Sequence, residues 1–235
     1  MKRVLITGAN GFIGKNLREA LSRRDDVHLD CFNINSGTDL LGIFLRQADY
    51  LYHLAGVNRP KDDKEFDEGN YELTQKIVSL LAEQRRRPVI VFSSSIQAEL
   101  NNPYGRSKKR AEDALIEYKK RSGANVFTYR LANVFGKWCR PNYNSAVATF
   151  CYNISRGSDI SISDRGNEVN LVYIDDVVNR FISHLDSDDV SHNPYLSVEP
   201  VYKVTLGEVV DSLYAIRDVR KTLMMPSLKD DFTRK

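Results

Sequence analysis

The sequence has few of the features that mark secreted, membrane-spanning or nucleic-acid-binding chains. It contains three cysteines in 235 residues, and because they form no CxxC pair we expect reduced thiols rather than disulfides. No apolar run approaches the roughly 20 residues that span a bilayer, and Met1 leads straight into a strand pattern without an apolar leader. The formal net charge is only +3 and the basic residues are scattered. These absences predict a soluble, cytoplasmic protein without membrane or nucleic-acid partners.

The residues that are present favour a well-packed α/β fold. Hydrophobic residues make up 42% of the chain, enough for a sizeable core. Short apolar runs predict strands at residues 4–6, 27–32, 50–55, 89–92 and 126–131. Helical spacing of apolar residues predicts helices at residues 12–21, 40–47, 73–81 and 111–118. This alternation predicts a doubly wound parallel sheet of the Rossmann type, covered by helices on both faces.

The pattern changes after Gly136. Residues 137–144 are rich in proline, asparagine and aromatic residues, and the strand and helix signals become shorter. We therefore predict a dinucleotide-binding core over residues 1–136. Residues 137–235 are predicted to complete that core and to form a small substrate-binding lobe. The charged residues 228–235 close no core element, which suggests that a longer chain once followed.

The first strand leads into a glycine-rich turn, residues 7–14, at the mouth of the first helix. The spacing G-x-x-G-x-x-G suits a backbone that adopts positive φ and approaches a pyrophosphate closely, and Gly14 lets the helix pack near the strand. The helix N-terminus offers free N–H groups to the phosphates. A purely structural turn would also favour glycine, but this strand-turn-helix context favours a dinucleotide site. The expected cofactor contacts are Gly8, Asn10, Gly11, Phe12, Ile13 and Gly14.

The residue at the end of the second strand bears on the choice between NAD and NADP. Sites that prefer NAD usually place a carboxylate there, on the ribose 2′-hydroxyl. Asp30 lies inside the apolar run, and the residue at the strand end is the neutral Asn33. No arginine stands out as a clamp for a 2′-phosphate, but a neutral end tolerates one, so NADPH is favoured and NADH is the alternative. Asp39 and Leu40 are candidates to flank the adenine, although capping of the next helix explains Asp39 equally well.

A tyrosine, a lysine and a serine form the group that points to catalysis. Tyr104 and Lys108 are one turn apart on a helix that starts near Pro103, so they share a face. A lysine ammonium and a cationic nicotinamide near the phenol would lower the tyrosine pKa from about 10. Such a tyrosine can exchange a proton as hydride moves. Ser95 follows a strand at the edge where open α/β sheets bind ligands. An isolated Tyr-x-x-x-Lys pair is common on amphipathic helices, but the serine and the glycine turn favour an active site.

These motifs resemble the extended short-chain dehydrogenase/reductases over nearly the whole chain. Further shared motifs are HLAG at residues 53–56, Asn70, RLANVFG at 130–136 and VYIDD at 172–176. Three segments resemble, more narrowly, the bacterial UDP-2-acetamido-2,6-dideoxy-hexulose reductases of capsular-polysaccharide and O-antigen biosynthesis. They are GVNRP at 56–60, SSSIQ at 93–97 and GKWCRPNYNS at 136–145. Those enzymes make the UDP-N-acetyl-6-deoxy-L-talosamine precursor of N-acetyl-L-fucosamine.

The resemblance implies NADPH-dependent reduction of the C4 ketone of a UDP-linked 2-acetamido-2,6-dideoxy-hexosulose. Tyr104 would donate the proton, Lys108 would hold the nicotinamide ribose and lower the Tyr104 pKa, and Ser95 would bind the carbonyl oxygen. Further cofactor contacts are expected from Leu54, Ala55 and Gly56. Contacts to the UDP-sugar are expected from Asn133, Lys137, Arg140, Tyr143 and Asn144. Family members often pair through the helices near residues 73–81 and 111–118, so a homodimer is expected.

Two departures from the family qualify these expectations. The loop between Ser95 and Tyr104 is shorter than in most extended members, although the narrower family shares it. Relatives also continue into a C-terminal metal-binding cupin domain that epimerises C3, and this chain stops before one, so no metal and no epimerase activity are expected.

Two alternative functions stay open. One is an NAD-retaining sugar-nucleotide epimerase or dehydratase. Dehydration is disfavoured because Ser95-Ile96-Gln97 has no carboxylates where dehydratases of this fold have Thr-Asp-Glu. The other is a non-catalytic module that senses the cofactor, which the presence of Tyr104 and Lys108 disfavours.

Several other side chains have two interpretations each. His53 is expected to be a packed, hydrogen-bonded residue rather than a catalytic one. Arg130 would contact the substrate or brace the sheet edge. Trp138 and Tyr143 would stack on uracil or cover the core, while Lys137 and Arg140 suit the diphosphate.

Overall fold

The structure is a computed structural model that describes residues 1–190 and 192–235, except for the side chain of residue 38. Its strands are β1 Lys2–Thr7, β2 Val27–Phe32, β3 Tyr50–His53, β4 Val89–Ser95, β5 Val126–Leu131, β6 Asn133–Phe135, β7 Glu168–Tyr173 and β8 Tyr202–Thr205. Its α-helices are α1 Phe12–Leu21, α2 Thr38–Gln47, α3 Lys64–Phe66, α4 Leu73–Glu83, α5 Pro103–Ser122, α6 Ala146–Ser155, α7 Ile174–Ser183, α8 Leu206–Thr222 and α9 Asp231–Arg234. A π-helical segment, Asp67–Glu72, precedes α4, and a 3₁₀ turn, Ile96–Glu99, follows β4.

The first five strands form one parallel sheet in the order β2-β1-β3-β4-β5. Successive residues Val4, Leu5 and Ile6 are all fully buried, which requires cover on both faces of the sheet. The strand order reverses between β1 and β3, and such a reversal opens a ligand crevice at the carboxyl ends of the strands. The predicted Rossmann-type α/β fold is confirmed.

The chain divides into two compact units. The first comprises Met1–Leu131 and Val178–Val198, and includes the parallel sheet and a core of side chains from β1, β3, β4 and the helices α2, α4 and α5. The second comprises Ala132–Val177 and Glu199–Lys235. Its sheet has the order β6-β7-β8, with β7 and β8 antiparallel, and its core includes Phe135, Phe150 and Leu171. The assignment of a substrate lobe to residues 137–235 stays a prediction.

Several element boundaries differ from the sequence prediction, and those of β3, β4 and the segment before α4 place candidate site residues. β3 ends at His53 rather than residue 55, because the next backbone N–H groups turn to Thr7 on β1. β4 continues through Ser95, because residues 93–95 pair with residues 129–131 of β5. Asn70 lies in the π-helical segment rather than in a regular α-helix.

The described residues include no membrane-spanning helix and no metal-binding cluster, and their cysteines form no disulfide. Every helix in residues 1–190 and 192–235 is too short or too polar to cross a membrane. Over the same residues, no group of three His, Cys, Asp or Glu side chains is placed to hold a metal ion. Cys31, Cys139 and Cys151 have free thiols, as the sequence predicts.

Candidate active site

The glycine-rich turn packs too closely for side chains at two of its positions. Gly8 has a φ of +72°, and a Cβ atom there would lie 2.7 Å from the Cα atom of Ala55. A Cβ atom at Gly14 would lie 2.2 Å from the carbonyl oxygen of Gly8, so α1 begins directly against the turn. Gly11 is the N-cap of α1 and has no side chain to occupy the first N–H groups of the helix. The turn therefore presents backbone donors to a phosphate.

Asn33 directly follows β2 and contacts the glycine turn. Its side-chain oxygen accepts a hydrogen bond from the backbone N–H of Asn10 at 2.9 Å. The guanidinium of Arg18, from the middle of α1, donates to the side-chain oxygen of Asn10 at 3.2 Å. The sequence offered no arginine for this region, because residue 18 comes next to residue 10 only through the turns of α1. The structure therefore supplies a cation near the end of β2.

Four other residues predicted to contact the cofactor lie in the first turns of helices. Phe12 and Ile13 begin α1, and Asp39 and Leu40 are exposed residues at the start of α2. The N-cap of α2 is Gly37, so Asp39 is not the capping residue that one interpretation of the sequence made it. Its carboxylate lies in the first turn, where a helix dipole favours negative charge.

Asn70 holds the segment that follows β3. Its side-chain oxygen accepts from the backbone N–H of Val57 at 3.0 Å, and its side-chain nitrogen donates to the Val57 carbonyl at 2.9 Å. Asn70 is buried, so these bonds form away from water. The clamped segment includes residues 54–56, and a Cβ atom at Gly56 would lie 3.1 Å from Nζ of Lys108. The predicted cofactor residues 54–56 and the predicted catalytic lysine are thus neighbours.

Ser95 and Tyr104 meet at the end of β4. The side chain of Ser95 is hydrogen-bonded to the phenol of Tyr104, which lies in the first turn of α5. The Ser95 hydroxyl also accepts from the backbone N–H of Gln97 at 3.2 Å and so caps the 3₁₀ turn. The Tyr104 ring packs against Phe66, with 5.6 Å between ring centres. Burial raises the pKa of Tyr104, and the hydrogen bond with Ser95 opposes that rise.

Lys108 is buried one helical turn beyond Tyr104. Its Nζ atom donates to the carbonyl oxygen of Ser93 at 3.0 Å and lies 5.0 Å from the centre of the Phe92 ring. Burial lowers the pKa of Lys108 to about 8, and the carboxylate of Glu112 opposes this effect. The expectation that Lys108 lowers the Tyr104 pKa does not hold in this structure. The lysine ammonium is directed at the strand carbonyl, and burial of the phenol dominates.

A buried carboxylate that was not singled out from the sequence lies four residues beyond Lys108. Glu112 accepts from Oγ of Ser94 at 2.6 Å and from Nε and Nη2 of Arg130 at 3.0 and 2.8 Å. Arg130 also donates to Glu99 at 2.6 Å. Arg130 therefore braces the edge of the sheet, which is one of the two roles that the sequence suggests for it. The available signal was a glutamate on the same helical face as Tyr104 and Lys108.

His53 is the packed, hydrogen-bonded histidine that the sequence favours. It is fully buried, and its two ring nitrogens are hydrogen-bonded to the hydroxyls of Thr7 at 2.7 Å and Thr74 at 2.9 Å. The ring stacks on Phe92 with 5.2 Å between centres. Burial and the charge of Lys108 lower the pKa of His53 to about 3, so the ring is neutral at physiological pH.

The predicted substrate residues other than Ser95 belong to the second unit. Asn133 begins β6, and its side-chain nitrogen donates to the carbonyl of Asn170 at 3.2 Å. Lys137 forms an ion pair with Asp175 at 2.9 Å. Lys137 also lines a cavity of about 600 Å³ between α6, α8 and α9, together with Lys235.

The loop after Lys137 brings only some of its predicted substrate residues together. The guanidinium of Arg140 lies 5.2 Å from the centre of the Tyr143 ring, whereas Asn144 is exposed. Trp138 is 54% exposed with a φ of +67°, so it does not cover the core. An exposed indole fits the interpretation in which this loop contacts a ligand.

Known proteins resemble this chain over almost its whole length. The model of the NAD dependent epimerase/dehydratase family matches residues 4–196. UDP-2-acetamido-2,6-beta-L-arabino-hexul-4-ose reductase of Pseudomonas aeruginosa is 44% identical over 232 residues, which are 99% of this chain and 62% of that protein. The crystal structure of the capsular polysaccharide assembling protein CapF of Staphylococcus aureus superposes with a TM-score of 0.88 at 42% identity, over 98% of this chain and 63% of that one. This chain therefore spans about three fifths of the length of these two relatives.

A more distant solved structure shows the fold alone. UDP-glucuronic acid 4-epimerase of Bacillus cereus in complex with NAD superposes with a TM-score of 0.77 at 18% identity, over 96% of this chain and 86% of that one. The family match covers most of the chain and includes the glycine turn, Ser95, Tyr104 and Lys108. The resemblance to the extended short-chain dehydrogenase/reductases is thereby confirmed, and the chain belongs to the NAD dependent epimerase/dehydratase family, whose members bind NAD(P).

Proposed function

We propose that the protein reduces the C4 ketone of a UDP-linked 2-acetamido-2,6-dideoxy-hexosulose with NADPH, as a step in capsular-polysaccharide or O-antigen precursor synthesis. The observation that carries this proposal is the hydrogen-bonded pair of Ser95 and Tyr104 at the end of β4, with Lys108 one helical turn further on. The activity named for the Pseudomonas relative supports the substrate class, since that relative is 44% identical over 99% of this chain.

The side chains at the end of β4 suit proton transfer to a ketone oxygen. Ser95 donates a hydrogen bond to the C4 oxygen and holds it beside the phenol, and Tyr104 gives that oxygen its proton. The raised pKa of Tyr104 keeps the phenol protonated at neutral pH, as a proton donor requires. Lys108 is protonated below its pKa of about 8 and stabilises the phenolate that remains. The reduced nicotinamide supplies the hydride when it is bound.

The chain's residues fit a dinucleotide beside this group. The backbone N–H groups in the first turn of α1, after its N-cap Gly11, suit a pyrophosphate. Gly8 lies directly against Ala55, just after β3. No side chain of the turn therefore stands between the turn and this segment. Residues 54–56, which precede the Val57 backbone bonded to Asn70, and the neighbouring Lys108 are proposed to hold the nicotinamide ribose.

A preference for NADPH over NADH is supported at the end of β2. Asn33 has no negative charge to repel a 2′-phosphate, and its side-chain oxygen is already bonded to the N–H of Asn10. Arg18 lies at Asn10 and offers a guanidinium to the phosphate. Asp39 and Leu40 are proposed to border the adenine.

The second unit is proposed to bind the UDP-sugar. Lys137 and Arg140 suit the diphosphate, Tyr143 suits the uracil ring, and Asn133 and Asn144 suit the sugar. The protein is further proposed to form a homodimer through α4 and α5. A groove of about 360 Å³ between these helices is lined by apolar residues that include Val78, Leu81 and Ala114, and by charged residues that include Arg85, Glu117 and Arg121.

Dehydration is disfavoured by the 3₁₀ turn next to Ser95. Ile96 and Gln97 occupy the positions at which elimination would need an acid and a base. The acidic residue of this turn, Glu99, is bonded to Arg130 at 2.6 Å.

The proposal is tested with NADPH that carries deuterium at the transferred position. The chain is incubated with the UDP-linked 4-ketosugar, and the product is examined by NMR. Deuterium at C4, with one NADPH consumed for each ketone, is the expected result. An unchanged ketone contradicts the proposal. In a parallel incubation that starts from the C4 alcohol, interconversion of the two C4 epimers without net consumption of cofactor establishes the epimerase alternative instead.

A further inference from the structure

We propose that Glu112 is a positioning residue that fixes α5 against the end of β4 and stabilises the ammonium of Lys108 with its negative charge. The catalytic part of this inference rests on the proposed reduction, because it concerns the geometry of Tyr104 and Ser95. The effect on Lys108 rests on the position of the two residues, which are both buried and lie one turn apart on α5.

The Glu112 carboxylate joins three elements of the sheet and its covering helix. Ser94 on β4 and Arg130 on β5 are directly paired in the sheet register, and both donate to Glu112 on α5. Ser94 immediately precedes Ser95. Tyr104 and Lys108 precede Glu112 on the same face of α5, Lys108 by one turn and Tyr104 by about two. A change at Glu112 therefore acts on the strand that carries Ser95 and on the helix that carries Tyr104.

The geometry of this ion pair favours a role in positioning over a role in stability. Glu112 is fully buried, and the Arg130 side chain is only 13% exposed. A bidentate arginine–carboxylate pair is directionally specific. A buried pair contributes little net stability compared with apolar packing, because both charges lose their hydration. The orientation that the pair imposes on β4, β5 and α5 is thus its main effect.

Glu112 is the anion whose charge favours the protonated form of Lys108. His53 faces Lys108 from β3 but is neutral, because its pKa is lowered to about 3. Glu112 in turn faces Arg130 from β5 and Lys109 from its own helix, with 3.9 Å between the Lys109 nitrogen and the carboxylate. Burial favours neutral Lys108, and Glu112 opposes that effect. Removal of the carboxylate therefore shifts the lysine further toward its neutral form.

The test compares Glu112→Gln and Glu112→Asp with a matched control outside α4 and α5. Glu19→Gln makes the identical change at an exposed residue of α1 that pairs with Arg23. The ionisation of Lys108 is followed by NMR of protein labelled with ¹³C-lysine, and Lys108→Met identifies the signal. The NADPH dissociation constant and the single-turnover rate are measured across pH 6–9 for each variant.

Glu112→Gln is expected to lower the Lys108 pKa by about one unit, which makes its charged fraction at pH 8 several-fold smaller. The alkaline limit of NADPH binding moves to lower pH by the same amount. Glu112→Asp keeps the charge but shortens the side chain, so it is expected to retain the titration while slowing turnover about tenfold. Glu19→Gln is expected to match the parent.

An unchanged Lys108 titration in Glu112→Gln would overturn the role of the charge. If Glu112→Gln does not fold, Glu112→Asp decides the positioning role, and parental turnover in that variant contradicts it. A parent protein that reduces no 4-ketosugar refutes the proposed function. The lysine titration still decides the effect of Glu112 in that case.

Discussion

The glycine-rich turn and the Ser95–Tyr104–Lys108 group belong to the same unit but are built by opposite means. The turn depends on glycines, which have no side chains, since a side chain at Gly14 would collide with the backbone of Gly8. The proposed catalytic group depends on side chains that are buried or half-buried and are bonded to each other or to β4. The turn therefore tolerates no addition, whereas the group tolerates the loss of single functional atoms without loss of the fold. Substitutions in the turn and in the Ser95–Tyr104–Lys108 group should therefore differ in their effects on folding, cofactor affinity and rate.

The largest effect is expected from Gly14→Ala. The new methyl group would lie 2.2 Å from the Gly8 carbonyl oxygen, so α1 must move away from the turn. Overpacking of this kind costs about 1–3 kcal/mol in the free energy of unfolding, and cofactor binding is expected to be lost with it. Urea unfolding and calorimetric titration with NADPH measure both. Gly37→Ala is the control, because no atom lies within 4 Å of the added methyl group. Parental cofactor affinity in Gly14→Ala would contradict the role of the turn.

Lys108→Met is expected to affect both the rate and the cofactor affinity. It removes the ammonium proposed to hold the ribose and to stabilise the phenolate, while an unbranched side chain still fills the site. A hydrogen bond to a charged group contributes about 1.5–3 kcal/mol, so NADPH affinity is expected to fall about 10- to 100-fold. Calorimetry and single-turnover kinetics measure the two effects separately. A variant that loses rate but binds NADPH as tightly as the parent would contradict the proposed contact between Lys108 and the nicotinamide ribose.

Ser95→Ala is expected to slow the reaction about fivefold, which is less than a change at the proton donor. It removes one hydrogen bond to the substrate oxygen, a loss of roughly 1 kcal/mol. Ser94 cannot replace it, because the Ser94 hydroxyl is buried and donates to Glu112 at 2.6 Å. Ser79→Ala, at an exposed site on α4, is the control for single-turnover rates. A parental rate in Ser95→Ala would show that Ser95 only caps the 3₁₀ turn.

The smallest effect is expected from Arg18→Gln. The Arg18 side chain is exposed, and exposed ionic contacts contribute at most about 1 kcal/mol. NADPH affinity is therefore expected to fall about fivefold while NADH affinity is unchanged. Arg23→Gln, on an exposed arginine that pairs with Glu19, is the matched control. Equal losses for both cofactors would exclude a contact with the 2′-phosphate.

The sequence predicted the parts of the fold and site that depend on local patterns. The glycine spacing, the strand periodicity and the Tyr104–Lys108 spacing each involve residues within one or two turns or along one strand. His53 was also predicted correctly, because a histidine at the end of an apolar strand has few solvent contacts. These features need no knowledge of which elements become neighbours.

The parts that the sequence did not predict depend on contacts between distant elements. Glu112 is distinguished only by Ser94 and Arg130, which β4 and β5 bring to it. Arg18 becomes relevant only when α1 places it at Asn10. The direction of the Tyr104 pKa shift depends on burial of the phenol, which spacing along one helix cannot reveal.

The central claim is that Tyr104 gives the proton to the substrate ketone. Tyr104→Phe removes one oxygen and little volume, so the fold and the NADPH dissociation constant are expected to match those of the parent. General acid catalysis typically contributes ~10²–10⁴-fold, and the single-turnover rate of ketone reduction is expected to fall by that factor. The decisive measurement is this rate, with saturating NADPH and UDP-linked 4-ketosugar, for the parent and Tyr104→Phe side by side. A near-parental rate in Tyr104→Phe would contradict the assigned chemistry.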